Sequence, residues 1–213
     1  SKDKIRGGTR VIFAYNPRYV SDTLMVVTQD DQNMGQQVER RENVARLTTE
    51  DGRVIGWNFF EISKEFTIEG TGQVQINDEQ LAHLNDLIKK AGFSDVLVPD
   101  HSPKFVVGLV KTCVPHEDSD HLSVTEIEVD NAEVLQIVCG AANIRKGLKV
   151  VVAKPGAMMP DGLLIWPGEL RGVASFGMVC SAKELQLPNA AMQRGILELG
   201  PDAVVGEAFT PGK

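Results

Sequence analysis

Between residues 104 and 182 the chain is cut into five short runs, "KFVVGLVKTCV", "HLSVTEIEVD", "EVLQIVCGA", "LKVVVAKPGAMM" and "GMVCSA", parted by Gly, Pro, Asp and Asn. Each is apolar or alternating and rich in β-branched residues, the pattern of a strand with a buried face. Five such strands in about 80 residues predict a small closed barrel rather than a sandwich. The one helical-looking stretch among them is "SAKELQL" (181–187).

Upstream of "LVPDHSPKF" (97–105) the pattern changes, and the two prolines and polar insert there mark a domain boundary. "RVIFAYN" (10–16) and "DTLMVVTQ" (22–29) read as strands around a Pro-containing turn. "NVARLTTEDGRVIGWNFFEIS" (43–63) reads as a hairpin turning at Asp51-Gly52, residues that accept the positive φ of a tight turn. "NDEQLAHLNDLIKKAGF" (77–93) predicts a helix. In it Leu81, Leu84, Leu87, Ile88 and Ala91 share a face, Asn77 and Gln80 form a capping box, and Gly92 is a stop. The expected fold class is mainly β with an α+β N-terminal part: a small α+β domain over about 11–99, then a five-stranded barrel over about 103–209. Residues 1–10, "SKDKIRGGTR", are expected to be a flexible arm or an expression remnant. Trp57, Phe59 and Phe60 belong either to the core of the first domain or to an exposed docking patch, and hairpin spacing favours the core.

A formal charge of -7 over 213 residues argues against coating nucleic acid by bulk charge, yet leaves room for a local basic face. Residues 112–140 carry seven carboxylates (Glu117, Asp118, Asp120, Glu126, Glu128, Asp130, Glu133) and no Lys or Arg. Residues 141–183 carry six cations (Arg145, Lys146, Lys149, Lys154, Arg171, Lys183) against Asp161 and Glu169. That segment is either an anion-facing surface or an ordinary solvated barrel rim. No apolar run approaches the roughly 20 residues that cross a bilayer, and no secretory leader opens the sequence, so no membrane partner is expected. Cys113, Cys139 and Cys180, an odd number without a C-x-x-C pair, point to reduced, mostly buried thiols in a cytoplasmic protein.

"HEDSDH" (116–121) holds the side chains of a metal site, but they are crammed into one turn. A solvated loop is the default there, and no metal or other cofactor is expected. "EGTGQ" (69–73) lacks the glycine spacing, the lysine and the following helix of a phosphate loop, and reads as a hairpin turn. No G-x-S-x-G elbow occurs, and His83, His101, His116 and His121 do not converge with an acid into a general acid/base pair. Catalysis has no evident residues, so a non-catalytic binding protein is expected.

The stretch "ELRGVASFGMVCSAKEL" (169–185) is too glycine-broken for a helix and too polar for a buried strand. Gly172 and Gly177 permit either close approach of the backbone to a ligand or a sharp barrel corner. Arg171 offers a planar fork for phosphate, Ser175 a small hydroxyl, and Met178 an apolar surface for a base or sugar. The bland reading pairs Arg171 with Glu169 and puts Met178 in the core. "RGVASFGMVCSAKELQL" resembles the signature of the tRNA-binding OB-fold domain found near the N-terminus of the bacterial phenylalanyl-tRNA synthetase β subunit. "FVVGLVKTCVPHEDSDHLSVTEIEVD", "LQIVCGAANIRKGLKVVVAKPGAMMPDG" and "RGILELGPDAVVGEAF" are similar to the same domain, in collinear order from about Pro103 to Phe209. With a small α+β domain in front, the chain as a whole resembles the stand-alone YtpR-type tRNA-binding proteins.

The resemblance implies an OB-fold barrel and a tRNA partner, not DNA, recognised by shape and backbone. It implies an RNA-binding set of Asn143 and Arg145 from "GAANIR" and Arg171, Ser175, Met178 and Ser181 from the signature. Arg145 and Arg171 would pair with phosphate, Asn143 and Ser175 with sugar or base edges. The family commonly carries a lysine just before the Leu-Arg-Gly and another in the turn after the His. Here Glu169 and His121 stand in those places, which removes positive charge and implies either a weaker affinity or a different preferred RNA. The competing expectation is a protein-protein interaction module that kept the OB fold and lost RNA binding. The N-terminal domain is the candidate surface for a homodimer or a protein partner.

Overall fold

The computed structural model describes residues 11–212, which fall into two compact units that part between His101 and Ser102. The arm expected over residues 1–10 lies outside the described residues.

The first unit comprises β1 (Ile12–Tyr15), α1 (Pro17–Val20), β2 (Thr23–Val27), β3 (Gln36–Arg41), β4 (Val44–Thr49), β5 (Val54–Phe60), β6 (Gly72–Gln73) and α2 (Asp78–Lys90). Its antiparallel strands are ordered β3-β4-β5-β2-β1-β6. The β4–β5 hairpin turns through residues 50–53, with Gly52 at φ +87 as expected but Asp51 not in the left-handed region. Helix α2 starts on the predicted capping box: the Asn77 side chain accepts the Gln80 N–H at 2.7 Å, and the Gln80 side chain accepts the Asn77 N–H at 3.0 Å. Leu81, Leu84 and Ile88 enter a core with Leu24, Trp57 and Phe59, and Trp57 meets Phe93 edge-to-face at 5.2 Å. Each large side chain sealed in this way contributes roughly 2–3 kcal/mol of burial. Trp57 and Phe59 are thus core, while Phe60 is half-buried under the Arg40 guanidinium. Two details differ from expectation. The Pro-containing turn is a short helix with Pro17 in its first turn, a position that needs no N–H donor. Strand β3, "QQVERR", is an exposed edge strand whose single apolar residue left no alternation to detect.

The second unit comprises β7 (Phe105–Pro115), β8 (Ser123–Glu128), β9 (Val134–Cys139), β10 (Lys149–Ala153), β11 (Gly168–Leu170), β12 (Val173–Ser175) and β13 (Met178–Val179). Five of them run β13-β10-β7-β8-β9 in a nearly closed antiparallel barrel of OB type, its two ends brought together where the Phe176 N–H donates to the Gln136 carbonyl. Val106, Val110, Ile127, Ile137, Val150 and Val152 fill the barrel. The alternate residues Phe105, Val151 and Ala153 pack outward against Met159, Cys180 and Leu185. Strand β10 is therefore buried on both faces, which is why "KVVVA" is continuously apolar. Buried Thr125 donates its hydroxyl to the Ile137 carbonyl at 2.7 Å. The expected helix over 181–187 is instead one hydrogen-bonded turn. Gln186 sits at φ +53 and Pro188 follows, so the turn has no room to propagate. The β11–β12 hairpin between β10 and β13 was not anticipated.

Candidate nucleic-acid interface

Binding chemistry on an OB barrel falls on the outer face of its second and third strands and on the loops after the first and fourth. Here those are β8, β9, the acidic loop 116–122 and the long connection 154–177. The outer face of β8 carries exposed Glu126 and half-buried Glu128, a poor surface for phosphate. The two loops are fastened to each other. Strands β11 and β12 pair Leu170 with Val173, so Arg171 and Gly172 form a two-residue turn, at φ +47 and +81. Two positive φ values match the twist of a tight hairpin, but an arginine pays for the left-handed conformation that glycine adopts freely. Arg171 is exposed, and one of its guanidinium nitrogens donates to the Asp118 carbonyl at 3.0 Å. His116 is buried beneath the pair. Its Nδ1 accepts the Asp118 N–H at 2.9 Å, which leaves the proton on Nε2 to be donated to the Leu170 carbonyl at 3.1 Å. Ser175 fixes the base of the hairpin: its hydroxyl accepts the Val138 N–H at 3.1 Å and donates to the Gly177 carbonyl at 3.4 Å, with the side chain only 8% exposed.

A second feature is an open depression of about 400 Å³ beside the loop that follows β9. Gly140, Ala141, Met178, Ser181, Glu184 and Gly195 are among the residues lining it. Ser181 and Glu184 cap each other reciprocally, the Ser181 hydroxyl accepting the Glu184 N–H and the Glu184 carboxylate accepting the Ser181 N–H. Asn143 staples the far wall, with its side-chain amide donating to the Ile196 carbonyl and its side-chain oxygen accepting the Ile196 N–H. The fit requires glycine at position 195, where a Cβ would lie 2.2 Å from the Asn143 oxygen. Arg145 donates to the Asn143 carbonyl and pairs with Glu198 at 2.6 Å. The hydrogen bond from Arg145, helped by Asn143, holds the Glu198 carboxyl below the ordinary glutamate range.

Cations differ in how far the fold consumes them. Lys154 bonds both oxygens of Asp130, at 2.9 and 3.1 Å, with the two side chains 11% and 12% exposed. Lys149 caps the carbonyls of Pro201 and Ala203. Lys146, Lys183 and Arg194 are exposed, and among the described residues their side chains have no hydrogen bond or ion pair. Two of the thiols are poor nucleophiles: burial raises Cys139 and pushes Cys180 up to about 12. Among the described residues no group of three or more His, Cys, Asp or Glu is placed to hold a metal, and His121 of the acidic loop faces its neighbour Asp120 at 3.1 Å.

Residues 105–208 match the family model described as "Putative tRNA binding domain", and residues 31–100 match "Domain of unknown function (DUF4479)". Over 196 residues the chain is 44% identical to "Putative tRNA-binding protein YtpR" of Bacillus subtilis, covering 92% of this chain and 97% of that protein. The chain belongs to this tRNA-binding domain family. Other members of the family it resembles are the phenylalanine–tRNA ligase β subunits of Chromobacterium violaceum (41% identical over 137 residues) and Idiomarina loihiensis (44% over 138). Each match covers 63% of the chain but only 17% of the ligase subunit.

Within this family domain the six residues singled out in the sequence fall into two groups. Met178 and Ser181 line the depression, and Asn143 and Arg145 join it through Ile196 and Glu198. Arg171 and Ser175 belong to the hairpin. Arg171 meets the Asp118 carbonyl rather than Glu169, and Ser175 spends its hydroxyl on the backbone. The sequence pattern counted Lys146 and Lys183 among the cations of the basic segment without placing them in the binding set, and passed over Arg194, although the stretch between Glu184 and Glu198 contains no carboxylate.

Proposed function

We propose that the chain is a non-catalytic tRNA-binding protein that reads the fold and backbone of RNA through its barrel. The observation that carries this is similarity over nearly the whole length of a protein named for tRNA binding. The surface chemistry supports it. Lys146, Lys183 and the exposed Arg171 are cations left available for phosphate, while Arg145 is held by the Asn143 carbonyl and by an exposed ion pair, a kind worth little in water and open to exchange for a phosphate. Met178 and Ser181 offer apolar and hydroxyl contacts in the depression. Asn143 and Ser175 act by holding the two walls in place, since the Asn143 amide is taken up by Ile196 and Glu198 and the Ser175 hydroxyl by the backbone. RNA rather than DNA is the expected partner, because contacts to ribose hydroxyls separate the two. The three free thiols suit a reducing compartment, and we assign the protein to the cytoplasm.

Titration of the full chain with unfractionated tRNA at low and moderate salt tests the reading. The expected result is modest affinity, with a salt dependence set by roughly two to four neutralised phosphates. Arg171→Ala is expected to weaken all tRNA species alike. No binding at low salt would overturn the proposal and favour a barrel that binds protein instead.

A further inference from the structure

The segment between Leu187 and Ile196 is anchored at both ends and free between them. The Leu187 N–H donates to the Ala182 carbonyl, and Ile196 is clamped by Asn143. Residues 191–195 are all exposed, Asn189 is held at φ +60 and Gly195 at φ +71. Two short backbone bonds, Met192 N–H to the Asn189 carbonyl and Gln193 N–H to the Ala190 carbonyl, curl the chain into a compact finger. On that finger Met192 is 86% exposed, the highest exposure of any large apolar side chain among the described residues. Two positions on, Arg194 stands without a side-chain partner, and the next residue, Gly195, lines the depression that Met178 and Ser181 share.

We infer that this finger is a further RNA-contacting element, with Met192 as an apolar platform for a base or sugar and Arg194 as a phosphate contact. The inference rests on the tRNA-binding reading above and names a part of the surface that reading does not use. A singly exposed apolar side chain is common on a protein surface, but Met192 stands two residues from an unpaired arginine, and its long, adaptable thioether can lie flat against a base or sugar. Apolar or stacking surface interleaved with cation is the chemistry of a single-stranded or looped nucleic acid site. Charge favours RNA over a basic or neutral protein surface: Arg194 lies in a stretch, 185–197, that holds no carboxylate, in a chain of net charge -7. Bases that would lie on Met192 are those a folded RNA presents unstacked, in loops and at its ends.

Binding of unfractionated tRNA to the full chain, measured at 50 and 200 mM salt, tests it with Met192→Ala, Arg194→Ala and Lys89→Ala. Arg194→Ala should remove one phosphate contact, so that its affinity falls roughly 3.5-fold less than the wild type between the two salts. Met192→Ala should weaken binding about fivefold at both salts, with the salt dependence unchanged, and Met192→Leu should restore most of it. Lys89→Ala, an exposed change on the first unit, should match the wild type. Because both finger side chains are solvent-exposed, the variants should melt at the wild-type temperature. If the wild type binds tRNA and both finger variants bind it equally well, the finger is not an RNA contact while the tRNA reading stands. If the wild type itself fails to bind, both fall.

Discussion

Arg41 and Arg46 of the first unit both lie over the ring of Phe93, at 4.1 and 4.8 Å from its centre. They share Glu39, Arg46 reaches Asp95, and Arg41 reaches the Ala91 carbonyl. Arg40 covers Phe60, and Arg53 bonds Asp51 and Gln29. In the barrel Lys146, Lys183 and Arg194 have no such partners, and Arg171 has only a carbonyl. Side by side, the two regions separate the number of cations from their availability. An arginine stacked on a ring and shared by two carboxylates stabilises its own unit and has little left for a phosphate. An uncommitted lysine adds nothing to folding and keeps its charge for a ligand. Net charge misses this distinction.

The comparison would break first at Lys154, the cation of the basic segment whose ion pair is the most deeply buried. Lys154→Met strands the Asp130 carboxylate in a nearly sealed site and should cost about 3–5 kcal/mol in urea unfolding of the barrel. Pairing it with Asp130→Asn should recover most of the loss. A Lys154→Met barrel as stable as the wild type would mean that this ion pair holds nothing together. Next in size, Arg46→Ala removes two ion pairs of intermediate exposure and a ring contact, for a loss of about 2 kcal/mol in the first unit. Its affinity and salt dependence for tRNA should stay at wild-type values. A weaker salt dependence would place an RNA contact in the region read here as structural.

A smaller effect is expected at the latch between the two barrel loops. His116→Ala leaves the Leu170 carbonyl and the Asp118 N–H without their partner, which should lower the local opening free energy of the hairpin by about 1–2 kcal/mol. Amide exchange at Val173 would rise accordingly, with global stability nearly unchanged. If hairpin exchange is unaffected, the latch is decoration and Arg171 is positioned by its turn alone.

How much of this was legible in the sequence follows from the range of each interaction. The capping box of α2, the Asp51-Gly52 turn and the five barrel strands are local patterns, and each appears where its residues predict it. Strand β3 escaped because an edge strand needs no apolar face, and the β11–β12 hairpin because its turn uses Arg-Gly where an Asn-Gly would announce itself. "SAKELQL" has helical spacing, but one turn cannot repay its own nucleation without a continuation. Ser175 looked like a ligand hydroxyl because its acceptor role for the Val138 N–H, 37 residues away, is set by the barrel. Likewise the Arg145–Glu198 pair spans 53 residues, so counting charge in a window could not reveal that one cation was committed and Lys146 beside it was not.

That pair offers the finest test of commitment against availability. Glu198→Gln removes the carboxylate that competes with phosphate for Arg145, and tRNA affinity should rise by roughly two- to fivefold, the scale of an exposed ion pair. Acid should release the same arginine by another route. The Glu198 carboxyl titrates below its ordinary value of 4.5 in the folded chain, so its contribution to stability is present at neutral pH and disappears as pH falls from 4.5 through the lower folded value. Below that window Glu198 is neutral and Arg145 is released from its ion pair, but the bases and other carboxylates titrate too, which makes the Glu198→Gln variant the cleaner measurement. Its unfolding curve should lose the part of the acid dependence that Glu198 supplies and match the wild type once the wild-type Glu198 is protonated. An unchanged or weaker tRNA affinity in Glu198→Gln would show that Arg145 serves the fold as the first unit's arginines do, and would move it to their side of the comparison.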